Sequence, residues 1–267
     1  MSEPTDPRYV FDNAGSEAPA RFDALAAVFD PGTIRHLAER GVSDGWHCLE
    51  IGAGGGSIAR WLAERVAPRG RVLATDIDPR FLQALARANL EVRRHDVATD
   101  PLPERAFDLA HARLVLVHVR ERERALERMV ASLRPGGWLL LEEFDSLSTP
   151  PDPAAFPGEV RLRAIDAMRN VMAKRGVNAS YGRSLTQQLR AHGLVDVDAE
   201  ARMFMWRGGS AGAALLRTGL EQLRSAVLES GEIGAAEYDR DVARLADPNY
   251  LSPSPILWAV WGRRPDS

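Results

Sequence analysis

A glycine-rich segment directly after an apolar run constrains this 267-residue chain more than any other feature. Residues 48–51 are apolar apart from Glu50 and favour a buried strand, and a glycine follows at every second position from Gly52 to Gly56. Glycine lets the backbone adopt positive φ and leaves no Cβ in the way of a ligand. A helix is expected to begin at Ser57. This order of strand, glycine turn and helix is typical of nucleotide-like ligand sites in doubly wound α/β proteins.

The spacing of the acidic residue and the glycines is E-x-G-x-G-x-G, which differs from the dinucleotide fingerprints G-x-G-x-x-G and G-x-G-x-x-A. Counted from Gly52, the last position of the fingerprint is Ser57, so the pattern fails. Counted from Gly54, Ala59 satisfies only the alanine form, and the fingerprint begins too far beyond the strand. A carboxylate at Glu50 would repel a pyrophosphate, whereas it suits a ligand end that carries an ammonium.

Acidic residues also end the next two predicted strands. The strand at 71–76 ends on Asp76, whose carboxylate can accept two hydrogen bonds from vicinal ribose hydroxyls. Asp78 precedes a proline and an apolar-periodic run, so a helix N-cap explains it better than a ligand contact does. A third short strand, at 91–97, contains Asp96 near its end.

Two further segments complete a set of five motifs. Residues 107–113 predict a fourth strand, and the run Leu-Arg-Pro-Gly-Gly-Trp at 133–138 ends a helix and begins a fifth strand. In this order and spacing, the five motifs over residues 46–145 resemble those of the class I S-adenosylmethionine-dependent methyltransferases. The first motif of that family is an acidic residue followed by x-G-x-G-x-G.

The resemblance and the alternation of strands and helices imply an α/β fold. We expect a doubly wound, mostly parallel, Rossmann-like sheet of seven strands whose last strand is antiparallel. A single methyltransferase domain is predicted over 1–267, with an N-terminal helical segment at 1–45 and a donor-binding core at 46–145. Helical insertions at 150–183 and 210–250 are additional to the family's core. They are interpreted as a cap over the open end of the sheet, with a dimerisation surface as the alternative.

A proline interrupts the N-terminal helical pattern. Apolar residues recur at helical spacing over 21–29 and predict a first helix there. Asp30 and Pro31 then have the residue types of an N-cap and a first helical position, so a second helix is predicted to begin at them and to end at Gly41.

The resemblance implies S-adenosyl-L-methionine as the cofactor and S-adenosyl-L-homocysteine as its product. It assigns the backbone amides of the glycine loop to the donor's carboxylate and Glu50 to its amino group. Asp76 is assigned to the ribose hydroxyls and Asp96 to the adenine amino group, with Val97 packed on the adenine ring.

The methionine part of the donor is assigned to the end of the fourth strand, where the carbonyl of Ala112 and the side chain of Arg113 lie. Tyr9 is expected to fold over the site and touch the donor's carboxylate. The complete set of cofactor-binding residues implied by the resemblance is Tyr9, Glu50, Gly52, Ala53, Gly54, Asp76, Ile77, Asp96, Val97, Ala112 and Arg113.

The acceptor side is predicted from residues beyond the fourth and fifth strands. His118 follows the fourth strand and is the candidate general base, with simple packing as the alternative. Glu143 ends the fifth strand, where it can orient a polar acceptor or face solvent. Tyr181 and Arg183 are predicted to line the acceptor cavity. His111 lies inside a strand and is predicted to be structural, and no metal site is expected.

The sequence therefore predicts methyl transfer by SN2 displacement to a small, fairly apolar metabolite, with O- or N-methylation. One alternative is a protein that binds S-adenosylmethionine without catalysis. The other is a nicotinamide-dependent oxidoreductase, which Glu50 and the glycine spacing oppose. A formal net charge of −3 and a pI of about 6.1 argue against a nucleic-acid partner.

Composition sets the remaining expectations. With 45% hydrophobic residues the chain can bury a substantial core, and its single cysteine, Cys48, excludes an internal disulfide. No apolar stretch approaches the length of a membrane span, and the N-terminus lacks a signal-peptide pattern. A cytoplasmic protein without a membrane partner is expected, with a small-molecule acceptor and with a homodimer as one assembly open to it.

Overall fold

The computed structural model of the protein describes residues 11, 13, 15–147 and 162–266. The α-helices in these ranges are α1 (Ala18–Glu39), α2 (Ser57–Arg65), α3 (Arg122–Ser132), α4 (Arg163–Lys174), α5 (Leu185–Ala191), α6 (Ala211–Glu229) and α7 (Ala235–Arg244). The strands are β1 (His47–Ile51), β2 (Arg71–Asp76), β3 (Leu90–Arg94), β4 (Phe107–Arg113), β5 (Leu133–Asp145), β6 (Val195–Arg202), β7 (Met205–Arg207), β8 (Leu251–Pro253) and β9 (Ile256–Arg263).

Seven of these strands form one sheet in the order β3-β2-β1-β4-β5-β9-β6. Strands β1 to β5 pair in parallel, whereas β9 is antiparallel to both β5 and β6. The predicted doubly wound, mostly parallel sheet with an antiparallel last strand is confirmed. The strand order reverses direction between β1 and β4. Ligands of open α/β sheets bind at this switch point, outside the carboxyl ends of the strands.

The two central strands are buried on both faces, as near-continuous apolar runs in a parallel sheet should be. In β1, Cys48 and Leu49 are fully buried, and Leu109 and Ala110 of β4 are fully buried opposite them. Glu50 on β1 and its partner in register on β4, His111, are polar exceptions in this interior. Buried polar side chains need partners, so this pair marks the part of the sheet where function is concentrated.

Helix α1 runs through Pro31, so the predicted break between two helices at Asp30 and Pro31 is wrong. The proline lacks a backbone N–H, but tertiary contacts hold the two residues directly before it. Phe29 packs in a buried cluster, and the Asp30 carboxylate accepts a hydrogen bond from Arg113 at 2.8 Å.

The helices predicted as insertions form their own apolar cluster. It joins α4, α6 and α7 and is centred on buried residues such as Ile165, Met168, Leu220 and Tyr238. Helix α6 also packs against α1. Strands β7 and β8, which precede α6 and follow α7 in the chain, pair as a separate two-stranded sheet. The sequence did not predict this sheet. The part of the insertion at 150–161 lies outside the described residues.

The boundaries assigned to the domain and its segments stay a prediction. Within the described ranges, no helix combines the length and the apolar character that crossing a bilayer requires.

Candidate active site

A cavity of about 790 Å³ lies at the carboxyl ends of the central strands. It is bordered by the segments that follow β1, β2, β3 and β4 and by residues of α1, α4 and α6. The predicted cofactor-binding residues that border it are Glu50, Gly52, Ala53, Gly54, Asp76, Ile77, Asp96, Val97 and Arg113. The structure thus gathers them at one place, and their individual contacts with a cofactor stay a prediction.

The glycine loop adopts backbone conformations that favour glycine. Gly52 and Gly54 have φ angles of 63° and 54°, in the left-handed region. A Cβ on Gly52 would collide with the side chain of Val115, and one on Gly54 would lie 2.7 Å from Cε1 of Phe22. Phe22 belongs to α1, so this helix packs directly on the glycine loop and forms part of the cavity wall.

Asp76 ends β2 with both carboxylate oxygens engaged by the backbone. Oδ2 accepts the N–H of Gly54 at 2.9 Å, and Oδ1 accepts the N–H of Asp78 at 2.9 Å. Burial raises the pKa of Asp76, and the two amide donors oppose that rise. Each carboxylate oxygen has capacity for a second hydrogen bond. The carboxylate at the cavity wall therefore fits a pair of vicinal hydroxyls while it holds the glycine loop in place.

Asp96 and Val97 form the next part of the wall. Oδ1 of Asp96 accepts the N–H of Ala98 at 2.9 Å, which fixes the turn after β3. The backbone N–H of His95 donates to the carbonyl of Asp76 at 2.9 Å, so the two predicted adenosine ligands are joined through the main chain. Val97 is buried at the cavity edge, where it can pack on a flat ring.

Glu50 makes a buried ion pair with His111. Its Oε2 lies 2.7 Å from Nδ1 of His111, and the other ring nitrogen, Nε2, lies 3.3 Å from Oε2 of Glu142. Burial alone disfavours a charged imidazole, but the two carboxylates outweigh it and raise the pKa of His111 to about 9. At neutral pH the ring is therefore an imidazolium that donates to a carboxylate on each side.

The same network continues into α1. Thr33 donates a short hydrogen bond from its hydroxyl to Oε2 of Glu142. Arg113 donates to Oγ1 of Thr33 at 2.8 Å and to Oδ1 of Asp30 at 2.8 Å. The guanidinium of Arg113 is thus anchored by the N-terminal helix at the edge of the cavity, and its predicted contact with the donor stays a prediction.

A second group of cavity-lining residues comes from the inserted helices and is mostly apolar, apart from the arginines at 169 and 175. Its main residues are Ile165, Met168 and Met172 of α4, Leu215 and Leu216 of α6, and Trp206 of β7. Motif-based reasoning did not identify the residues of α4 and α6, because ordinary apolar residues at helical spacing signal only a buried face. A cluster of three or more metal-ligating side chains does not occur in the described ranges.

His118 borders the cavity after β4, as the sequence predicts. Its ring meets the edge of Phe11 with 6.0 Å between the ring centroids. Burial and the nearby Arg21 lower the pKa of His118 to about 4. The imidazole is therefore neutral at physiological pH, and it can accept a hydrogen bond or a proton only as a weak base.

Comparison with known proteins identifies this arrangement. A family model described as a methyltransferase domain matches residues 49–139, from the glycine loop to β5. A ubiquinone/menaquinone biosynthesis C-methyltransferase of Laribacter hongkongensis is 30% identical over 162 residues, which cover 58% of this chain and 64% of that protein. Residues 49–139 thus match a methyltransferase domain, and the chain resembles the class I methyltransferases over that segment. The methyltransferase str2 of Strobilurus tenacellus is 33% identical over 149 residues, 54% of this chain and 51% of that protein.

Solved structures share the fold at low sequence identity. The phosphoethanolamine N-methyltransferase 2 of Haemonchus contortus, in complex with phosphomonomethylethanolamine and S-adenosylhomocysteine, superposes with a TM-score of 0.62 and 15% identity, covering 99% of this chain and 61% of that one. The cyclase SpnF superposes with a TM-score of 0.56 and 19% identity, covering 88% and 81%. S-adenosylmethionine is the cofactor of the family. The chain spans 64% and 51% of the lengths of the two curated relatives described above.

Three described residues that the sequence predicts for the site, Ala112, Tyr181 and Arg183, are not among those that border the cavity. Ala112 is fully buried in the main core cluster, and Tyr9 lies outside the described residues. Tyr181 is also in that cluster, where the Arg122 guanidinium lies 5.5 Å from its ring centroid. Arg183 is turned toward Asp145, to which it donates hydrogen bonds of 2.8 and 2.7 Å. The structure corrects the predicted role of Tyr181 and Arg183 as acceptor ligands.

Glu143 is corrected in the same way, because its carboxylate supports the loop after β4. Oε1 accepts the backbone N–H groups of Val115 and Leu116 at 3.0 and 2.6 Å, and Oε2 accepts that of Val117 at 3.4 Å. The side chain is fully buried and does not line the cavity. It fixes the turn that leads to His118 and acts on the site only through this loop.

Replacing Glu143 with leucine should therefore lower the free energy of unfolding by about 2–4 kcal/mol, because buried amide donors lose their acceptors. Glu143→Gln retains one carbonyl oxygen for the two shorter hydrogen bonds and should lose less than half as much. Urea unfolding of both variants beside the wild type measures the difference. A leucine variant as stable as the wild type would show that the loop does not depend on this carboxylate.

The buried imidazolium also predicts how stability varies with pH. The folded-state pKa of His111, about 9, lies above the ordinary value of 6.5. The stability that its charge contributes, on the order of a few kcal/mol, is fully present below about pH 6.5 and is lost as the pH rises through about 9. Urea unfolding at a series of pH values should show this decline in the wild type. The His111→Gln variant should lack that part of the slope, and an unchanged slope would exclude His111 as its source.

Proposed function

We propose that the protein transfers a methyl group from S-adenosylmethionine to a small, mainly apolar acceptor bound beneath α4 and α6. One observation carries the proposal: a single cavity is lined both by the predicted donor ligands and by apolar residues of the inserted helices. Its volume, about 790 Å³, lies within the usual range of small-molecule sites. Donor and acceptor would thus share one enclosed space.

The residues present fit the donor. Glu50 offers a carboxylate to an ammonium, Asp76 offers one to vicinal hydroxyls, and the left-handed glycines bring backbone close to the ligand. S-adenosylmethionine supplies a methyl group on a sulfonium, so the acceptor forms a bond to carbon as the carbon–sulfur bond breaks and its electron pair stays on sulfur. The protein's contribution is mainly alignment, which is worth up to about 7–11 kcal/mol in favourable systems.

His118 is the side chain we assign to the acceptor. Its neutral ring borders the cavity after β4 and can accept a hydrogen bond from an acceptor O–H or N–H. A base this weak does not remove a proton from carbon at a useful rate, whereas oxygen and nitrogen acceptors already carry a lone pair. We therefore propose O- or N-methylation. Carbon is the rival atom, because the Laribacter relative is named a C-methyltransferase.

Replacing His118 with alanine should lower kcat roughly tenfold to a hundredfold, at the low end of what proton acceptors contribute. The affinity for S-adenosylhomocysteine should stay within about twofold of the wild type, because the predicted donor ligands lie on other elements. His192→Ala, at the end of α5, is the matched control and should change neither quantity. Steady-state kinetics and calorimetric titration measure the two effects, and an unchanged kcat would remove His118 from the mechanism.

The reaction itself is tested with a donor whose methyl group is deuterium-labelled. The protein is incubated with phenols, amines and quinols of small size, and products are analysed by mass spectrometry and NMR. A product carrying one labelled methyl on oxygen or nitrogen is expected. Donor binding without turnover on any acceptor would favour the alternative of a non-catalytic binding protein. The cyclase SpnF has the same fold, so the fold alone does not establish transfer. A cytoplasmic location and homodimer formation stay predictions.

A further inference from the structure

Directly behind the donor loop, His111 is held between two buried carboxylates. Only one of these, Glu50, borders the cavity. We propose that His111, backed by Glu142, is a positioning residue that holds the Glu50 carboxylate in place for the ammonium group of the donor. This inference rests on the proposed function, because it concerns the same donor.

The strand register places His111 between residues of β1 and β5. Glu50 and His111 are partners on the parallel strands β1 and β4, and Leu140 of β5 is the partner of His111 on its other side. The imidazole therefore contacts Glu50 from one neighbouring strand and Glu142 from the other. Because Oε2 of Glu50 is engaged by Nδ1 at 2.7 Å, Oε1 is the oxygen that a ligand in the cavity can use.

Glu142 contacts His111 on the side away from Glu50. Glu142 is fully buried and does not border the cavity, so it influences a ligand only through its neighbours. Its Oε2 accepts hydrogen bonds from Nε2 of His111 and from the hydroxyl of Thr33. Its Oε1 has no hydrogen-bond partner among the described residues. A buried carboxylate held so sparsely needs a nearby cation. His111 meets that need and is thereby kept doubly protonated, with Nδ1–H directed at Glu50.

The charges of this network do not balance. Three carboxylates, those of Asp30, Glu50 and Glu142, alternate with two cations, His111 and Arg113. These charges sum to −1 in a largely buried network. Of the three carboxylates, Glu50 is the one that borders the cavity, and its cation partner is His111. A ligand ammonium at Oε1 would balance the remaining negative charge. A pyrophosphate would add charge of the same sign and be repelled.

A purely structural alternative is that the pair only joins β1 to β4. The two roles differ in which part of the donor they affect. If His111 acts through Glu50, its loss weakens ligands that carry the amino-acid end and spares ligands that lack it. If the pair only supports the sheet, its loss disturbs the whole pocket and weakens both kinds of ligand.

Calorimetric titration with two probes separates these roles. S-adenosylhomocysteine carries the amino-acid end, and 5′-methylthioadenosine has the adenosine and sulfur without it. His111→Gln should weaken the first probe by about tenfold, as expected for one charge-assisted hydrogen bond, and leave the second within about twofold. Glu142→Gln should weaken the first probe by a smaller factor. His47→Gln, at the opposite end of β1, is the matched control and should change neither.

Equal weakening of both probes, or no weakening of either, would overturn the positioning role. A wild-type protein that binds neither probe would instead contradict the proposed function. If His111→Gln does not fold, histidine ¹⁵N NMR of the wild type provides the second test. The ring of His111 contacts Glu50 on β1 and Glu142 on β5, and the charges that act on Glu142 in turn include Arg113 on β4 and His36 on α1. The ring should keep both of its protons at pH 8. A neutral ring at pH 7 would also overturn the proposal.

Discussion

The Asp76→Ala variant is expected to bind S-adenosylhomocysteine at least about a hundredfold more weakly than the wild type, since two hydrogen bonds to a charged group are lost at about 1.5–3 kcal/mol each. The carboxylate has two tasks at once. It is the predicted ligand of the ribose hydroxyls, and it accepts the N–H of Gly54, which holds the glycine loop against β2. Removing it disturbs both the sugar contact and the backbone that is predicted to hold the donor's carboxylate.

Calorimetric titration measures the loss, and two variants control it. Asp78→Ala removes a neighbouring carboxylate that caps a short 3₁₀ helix and pairs with Arg80, so it should leave the affinity within about threefold. Asp76→Asn keeps hydrogen-bonding capacity and should fall between the two. An Asp76→Ala protein that is folded and binds as tightly as the wild type would contradict the assignment of the ribose site.

The Glu50→Ala variant is expected to lose about 3–5 kcal/mol of the free energy of unfolding, because it leaves a buried cation without its closest partner. His111 is fully buried and its Nδ1 lies 2.7 Å from Glu50, so water does not replace the carboxylate easily. Glu50→Gln keeps an oxygen at hydrogen-bonding distance and should lose less. Urea unfolding at pH 7 gives both values.

Removing the other charged partners as well tests whether the loss arises from the network. In the triple variant Glu50→Ala, His111→Leu, Glu142→Gln, neither an unpaired cation nor an unpaired carboxylate is left behind β1, and part of the stability lost in Glu50→Ala should return. The glutamine keeps an oxygen that can accept the hydroxyl of Thr33. A triple variant with the summed losses of the three single variants would mean that these side chains do not stabilise each other.

The donor side could be predicted from the sequence because its signals are local. An acid, a glycine turn and the start of a helix lie within ten residues of one another around the end of β1, Asp76 ends β2, and Asp96 closely follows β3. Parallel strands place their carboxyl ends at one edge, so local motifs were enough to bring these residues together. The alternation of strands and helices likewise predicted the parallel sheet, and the family resemblance predicted the antiparallel direction of its last strand.

Contacts that depend on register across the sheet could not be predicted. His111 was expected to be structural because it lies within β4, and nothing in its own segment indicates that Glu50 and Glu142 flank it. Glu143 was expected to face the acceptor, yet its side chain turns to the backbone of the loop at 115–117. Neighbouring residues on a strand point to opposite faces, and the burial of both faces of β5 removes the pattern that would tell them apart.

Tertiary packing overrode local preference in the N-terminal helix and the insertions. Pro31 is tolerated inside α1 because Phe29 packs in a buried cluster and Asp30 accepts a hydrogen bond from Arg113. The strands β7 and β8 are three residues each and carry too little pattern to be recognised. The apolar residues of α4 and α6 became a candidate acceptor site only when the structure placed them in the same cavity as the glycine loop.

We predict that this cavity binds S-adenosylmethionine through Glu50, Asp76 and the glycine loop. Calorimetric titration of the purified wild type with S-adenosylhomocysteine, NAD and NADP measures whether it does. We predict binding of S-adenosylhomocysteine in the micromolar range and no measurable binding of either dinucleotide. Preference for a dinucleotide, or failure to bind S-adenosylhomocysteine, would contradict the claim.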